Sequence, residues 1–124
     1  MPADHDHITI SIDKYAVFHT ACGTHVAINY IVCFSGGSEV GQIQFYPIGK
    51  SIQSKVYISS SGGVGYFWII CEINRYQDII ETLRYEKPIY IHLDWDINYN
   101  ISWGMLSTSQ EPVGEQEGVP GMPT

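Results

Sequence analysis

Hydrophobic and polar positions alternate along most of this chain, with a period of two. Residues 7–13 read His-Ile-Thr-Ile-Ser-Ile-Asp. Ile8, Ile10 and Ile12 fall on one side, Thr9 and Ser11 on the other, which is the pattern of a half-buried strand. A weaker strand candidate follows through Ala21 and ends at a Cys22-Gly23 turn. In residues 25–34, Val26, Ile28, Tyr30, Val32 and Phe34 share one side, and Ile31 and Cys33 make the other side apolar too. A strand apolar on both faces is normally covered on both. Ser35-Gly36-Gly37-Ser38 supplies a turn, because glycine reaches positive φ without a steric cost. Further strands are expected near 41–46, before Pro47, and at 55–60, before a turn at Gly62-Gly63. Residues 64–73 form the second strand that is apolar on both faces.

The period then changes. Tyr76, Ile79, Ile80 and Leu83 stand at i, i+3, i+4 and i+7, the apolar stripe of a helix. Asn74 is a good N-cap, Arg84 and Lys87 put positive charge where the helix dipole favours it, and Pro88 stops the element. The helix is expected at about 75–86.

In residues 89–103 every odd position is apolar, from Ile89 to Trp103, and the even positions are polar or amphipathic. One strand of that length would run about 50 Å, too far for a domain of this size. The segment therefore folds back near Asp96–Asn100, where Asx residues favour turns. Unbroken odd parity predicts a loop with an odd number of residues, unless a bulge intervenes. On that parity Trp95, Tyr99 and Trp103 all belong to the core. After about Ser109 the chain is rich in Gly, Pro and Glu and has no period, as expected of a flexible tail.

These elements predict a single β-rich domain over 1–108 and a tail over 109–124. The expected class is mainly β (α+β), an antiparallel β-sandwich or partly open barrel of about seven or eight strands with one amphipathic helix. The helix either covers a sheet face or closes a barrel end. Alternatively, the strand–helix–strand segment 64–95 could be a parallel crossover.

Composition adds limits. At 124 residues, 44% hydrophobic and 15% charged, the chain can bury one real core without disulfide or metal. Its net charge is −7, with only six Lys and Arg, all scattered. Nucleic acid and anionic membranes are poor partners for such a chain; a protein partner, a basic one included, or self-association fits it. Three cysteines cannot close a disulfide framework, and the N-terminus is acidic where a secretory segment is basic. A cytoplasmic location is the expectation.

Candidate chemistry is sparse. Gly49-Lys50-Ser51 lacks the earlier glycine of a phosphate-binding loop, since Gln44 stands there, and a strand follows where a helix is required. Gly62-Gly63-Val64-Gly65 opens into a strand and reads as a hairpin turn. No nucleophile motif and no Cys-x-x-Cys occurs, Cys33 and Cys71 read as inert core residues, and no cofactor is expected. His92, Asp94 and Asp96, on one strand face at spacing two, are the candidate metal or acid–base residues, although a solvated strand face looks the same. His19, Cys22 and His25 form a weaker cluster, and Asp4-His5-Asp6-His7 a weaker one still. Tyr57, Tyr66, Trp68 and Tyr90 are candidate ligand-binding residues. They would form a stacking platform if exposed together, but the helix is expected to cover their face. The function expected is a non-catalytic protein- or ligand-binding domain. The alternatives are a small metal-dependent or hydrolase-like enzyme using His92 and nearby carboxylates, and an acidic inhibitor or immunity-type protein that caps a basic partner.

Overall fold

A computed structural model describes residues 5–23 and 26–108. The tail expected over 109–124, and with it Asp4 and His25, lies outside the described residues. The strands are β1 His5–Ile12, β2 Lys14–His19, β3 Asn29–Ser35, β4 Ser38–Tyr46, β5 Lys55–Ile58, β6 Val64–Glu72, β7 Ile89–Asp96 and β8 Ile101–Thr108, with helix α1 at Tyr76–Tyr85. They form two sheets, one of three strands in the order β1-β7-β8 and one of five in the order β2-β3-β4-β6-β5. Neither closes into a barrel, and the mainly-β, sandwich-like architecture is the one the alternation predicts. Among the described residues no helix is long and apolar enough to cross a membrane.

The sheets meet through one core. The three-stranded sheet contributes Ile12, Ile89, Ile91, Leu93, Trp95 and Ile101; the five-stranded sheet contributes Ile31, Cys33, Ile43, Phe45, Val56 and Phe67. Each large side chain buried this way is worth about 1.5–3 kcal/mol. The chain changes sheets at a single residue, Asp13, between β1 and β2. That corner is held by the Asp13 N–H on the Phe34 carbonyl at 3.0 Å and by the Gly36 N–H on the Asp13 carboxylate at 2.7 Å.

Three details depart from the expectations. The five-stranded sheet is mixed, because β4 and β6 run parallel. The chain leaves β4, forms edge strand β5, and returns by the Gly62-Gly63 hairpin to insert β6 between them. Segment 64–95 is accordingly no parallel crossover, since β6 and β7 lie in different sheets. Asn74 does not cap the helix: it sits inside a 3-10 turn at Ile73–Arg75 that leads into α1, and Arg75 is the N-cap, without a side-chain hydrogen bond.

The third departure decides the rest. The β7–β8 hairpin turns over 97–99. The Asp96 N–H bonds the Asn100 carbonyl at 3.0 Å, the Tyr99 N–H bonds the Asp96 carbonyl at 2.9 Å, and Tyr99 takes φ 63°. The odd-numbered loop keeps Trp95 and Ile101 facing inward together. Past that pair the register shifts: Trp95 pairs with Ile101, but Asp94 pairs with Trp103. Ser102 is therefore the extra residue of a β-bulge, and it inverts the parity of β8. Gly104 and Leu106 now lie across from the inward Leu93 and Ile91, while Trp103 and Met105 lie across from the outward Asp94 and His92. Trp103 is 46% exposed and Met105 47%. The core assignment of Tyr99 and Trp103 is thus corrected, Tyr99 by the turn and Trp103 by the bulge; Trp95 is buried as expected.

The five-stranded sheet leaves no room for a side chain at Gly41. That glycine pairs with Phe67, and a Cβ added there would overlap three carbons of the fully buried Phe67 ring. Gly41→Ala is expected to cost about 1–3 kcal/mol and to lower Tm by about 5 °C or more in a thermal melt. Gly63→Ala, where an added Cβ meets nothing within 4 Å, should leave Tm nearly unchanged.

Candidate functional site

Paired residues of an antiparallel ladder share a face. The outer face of the three-stranded sheet is therefore built in rows. His7, Asp94 and Trp103 form one row, Thr9, His92 and Met105 the next, and Ser11, Tyr90 and Ser107 the third. His92 lies at the centre. Its Nδ1 is 3.0 Å from Thr9 Oγ1 and its Nε2 is 2.6 Å from Ser107 Oγ. Since a neutral imidazole donates at one nitrogen and accepts at the other, this hydroxyl–imidazole–hydroxyl chain ties all three strands across the surface.

The aspartates of the same strand make other contacts. Asp96 Oδ1 accepts the N–H groups of Asn98 at 2.8 Å and Asn100 at 3.1 Å, which fixes the turn. Asp94 faces outward beside Trp103, and its carbonyl accepts the Ser102 hydroxyl at 3.3 Å, across the bulge. The imidazole thus meets two hydroxyls, and Asp96 is spent on backbone. Among the described residues no group of three His, Cys, Asp or Glu side chains is placed to hold a metal ion.

The turn is anchored to the other sheet as well. The Val56 N–H bonds the Tyr99 carbonyl at 3.0 Å, the Ile101 N–H bonds the Ser54 carbonyl at 2.8 Å, and Lys55 bridges Asn100. Ile97 and Tyr99 at this turn are exposed, 67% and 52%. Four exposed large apolar side chains thus run from the turn to the central row of the sheet: Ile97, Tyr99, Trp103 and Met105, beside a turn backbone tied down from both layers.

A second outer face belongs to the five-stranded sheet. Tyr57 and Tyr66 pair there, and Trp68 pairs with Gln42. The Tyr66 and Trp68 rings lie 4.8 Å apart, and Phe18 stacks on Tyr30 at 5.0 Å and 11°. Between the ring pairs, Gln44 donates to Gln42 at 3.0 Å and Tyr46 donates to Gln44 at 3.1 Å. The Tyr66 hydroxyl donates to the Glu39 carboxylate; burial, and then that bond, push its pKa upward. The helix does not cover this face. Ile80 and Leu83 go into the core, and Tyr76 meets Phe45 of the inner side edge-on at 5.1 Å. The expected covered position of these aromatics is corrected accordingly: Tyr57 is exposed, and Tyr66 and Trp68 are half-buried. Tyr90 does not join them, because it lies on the outer face of the other sheet.

The remaining candidates stay apart. His19 Nδ1 is 2.8 Å from Asn29 Oδ1, and its ring meets Tyr76, whereas Cys22 is exposed in the following loop. A groove of about 670 Å³ runs between the Asp13 corner and the end of α1, bordered by Lys14, Tyr15, Arg84 and Lys87.

The exposure of Trp103 and Met105 went unseen in the sequence because the odd-apolar pattern runs through Trp103. The signal lay just beyond it: Leu106 is apolar at an even position and Ser107 polar at an odd one. The Thr9 and Ser107 partners of His92 are visible only in the strand pairing. No family model, no curated protein and no solved structure matches the chain.

Burial separates the thiols. It pushes the Cys33 pKa up to about 12 and raises that of Cys71. Only the thiolate attacks alkylating reagents. At pH 8 iodoacetamide should label Cys22 quickly, Cys71 slowly, and Cys33 only after unfolding; rapid native labelling of Cys33, read by mass spectrometry, would place it outside the core.

Proposed function

We propose that this chain is a non-catalytic binding domain that holds a protein partner on the outer face of its three-stranded sheet. One observation carries the reading: the Ser102 bulge turns Trp103 and Met105 out of the core and into solvent. Bulges re-aim side chains, and exposed clusters of large apolar residues mark interaction sites. Tryptophan is prominent among the residues that dominate binding energy. The anchored turn beside them lowers the ordering cost of association.

Photo-crosslinking tests this. With p-benzoylphenylalanine in place of Met105, irradiation in the native cells should give one discrete adduct, and Trp103→Ala in the same chain should reduce its yield at least about 10-fold at unchanged Tm. The same photo-probe in place of Gln77, on the exposed side of α1, should not give that adduct. No adduct from position 105, or equal adducts from both positions, overturns the reading.

The five-stranded sheet supports a second reading, a ligand platform. Its ring pairs flank an uncharged ladder of Gln42, Gln44 and Tyr46, chemistry suited to a neutral, hydroxyl-rich ligand such as an oligosaccharide. Titration with neutral oligosaccharides should then change the tryptophan fluorescence, and Tyr57→Ala should abolish the change. A flat titration across a varied panel removes this reading.

A further inference from the structure

Charge is distributed unevenly along the sequence. Residues 1–13 and 88–124 contain eight of the thirteen acidic residues and none of the six Lys and Arg; residues 14–87 contain all six cations and five acids. The topology converts part of this into a difference between layers: of those eight acids, the described strands of the three-stranded sheet hold Asp6, Asp94 and Asp96, and Asp13 stands at its corner. Strands β1, β7 and β8 come wholly from the cation-free stretches, and β2 to β6 with α1 come wholly from the middle. The sheet that exposes Trp103 and Met105 therefore has no Lys or Arg in any strand, while the opposite layer is close to neutral. The nearest cation by backbone pairing is Lys55, whose bridge is to Asn100; its own place in the ladder is across from Trp68 on the other outer face.

This distribution says what kind of surface can cover the apolar seat. Asp94 stands beside Trp103 in the same row, and Asp96 marks the end of the strand. A second copy docking face to face would bring two cation-free layers together and meet like-charge repulsion. A polyanion is repelled in the same way. A basic protein surface is attracted at long range and then finds two kinds of partner at close range. Arginine stacks on an indole face and forms paired hydrogen bonds with a carboxylate.

We propose, resting on the docking reading above, that the partner's contact surface is rich in Arg and Lys, of the kind proteins use to hold polyanions, and that this chain caps it. The cap combines an apolar centre at Trp103 and Met105 with carboxylates at its edge. Its association is steered by charge, so it is fast at low salt and slows as salt rises.

The test uses immobilised poly-L-arginine as the probe, with the intact chain in solution at about 20 and about 200 mM salt, concentrations that bracket strong and weak screening. Two doubly substituted chains lose the same charge. Asp94→Asn with Asp96→Asn removes it from the face, and the asparagine at 96 retains the oxygen that holds the turn. Asp78→Asn with Glu81→Gln removes it from the exposed side of α1. The face pair, and separately Trp103→Ala, should weaken binding about 10-fold or more, and the helix pair about 2-fold or less. The face pair should also flatten the salt dependence. Equal losses from the two pairs would mean that only net charge matters and would overturn the proposal, as would the absence of binding. An adduct from position 105 with a partner whose contact surface is not basic, or with a second copy of the chain, overturns the basic-surface proposal while the docking reading stands. Loss of the adduct itself removes both.

Discussion

Strand β7 presents Ile89, Ile91, Leu93 and Trp95 to the interior in one unbroken row, and most of the molecule is placed by the need to cover that row. β1 and β8 flank it and extend the apolar surface sideways. The five-stranded sheet lies over it with Ile31, Ile43, Phe45 and Phe67, and Ile80 and Leu83 of α1 close the remaining side. Within that sheet Phe67 packs directly on the backbone of Gly41, its pair on the adjacent strand. Such an interior tolerates few substitutions, and it leaves the outer faces free to vary.

The bulge in β8 is where the covering layer departs from the simplest arrangement. Continuing the ladder without it would have placed Trp103 and Met105 inside and Gly104 outside. Leaving two large apolar side chains in water forgoes burial worth a few kcal/mol in a domain whose whole stability is about 5–15 kcal/mol. The bonds around the bulge and its turn, from Asp96, Ser102, Val56 and Ser54, hold the arrangement in place. Under the docking proposal, a surface kept at that expense, in the layer whose strands lack Lys and Arg, is the seat of the partner.

Much of the fold could be read from period alone. The inward Ile8, Ile10 and Ile12, the Gly36-Gly37 and Gly62-Gly63 turns, the helix and the fold-back after Asp96 all follow from local alternation and turn chemistry. What period could not supply was pairing between distant strands. The parallel β4–β6 contact depends on where β6 inserts, and the bulge depends on a register between strands. The parallel contact left no mark on the local pattern, and the bulge left only the change of parity at Leu106 and Ser107. The site residues divide in the same way. His92, Asp94 and Asp96 share a strand and an outward pattern, as legible as any face can be, but that His92 meets Thr9 and Ser107, and that Asp96 is committed to a turn, required partners from 83 and 15 residues away and from the loop backbone. Tyr57, Tyr66 and Trp68 were recognisable as aromatics on alternating positions, and only the placement of α1 on the inner side decided that they are uncovered.

The three-stranded sheet joins the earliest described strand to the last two. During synthesis β1 leaves the ribosome with no partner in its own sheet, and roughly eighty residues must follow before β7 can pair with it, a wait of several seconds at the usual rate of about 5–20 residues per second. The five-stranded sheet can assemble in that interval from strands that are already out. The face bearing Trp103 and Met105 therefore exists only once translation has passed β8. A nascent chain that stops short of β8 can expose the interior but cannot display this surface, so under the docking proposal a partner binds only chains in which both sheets have formed.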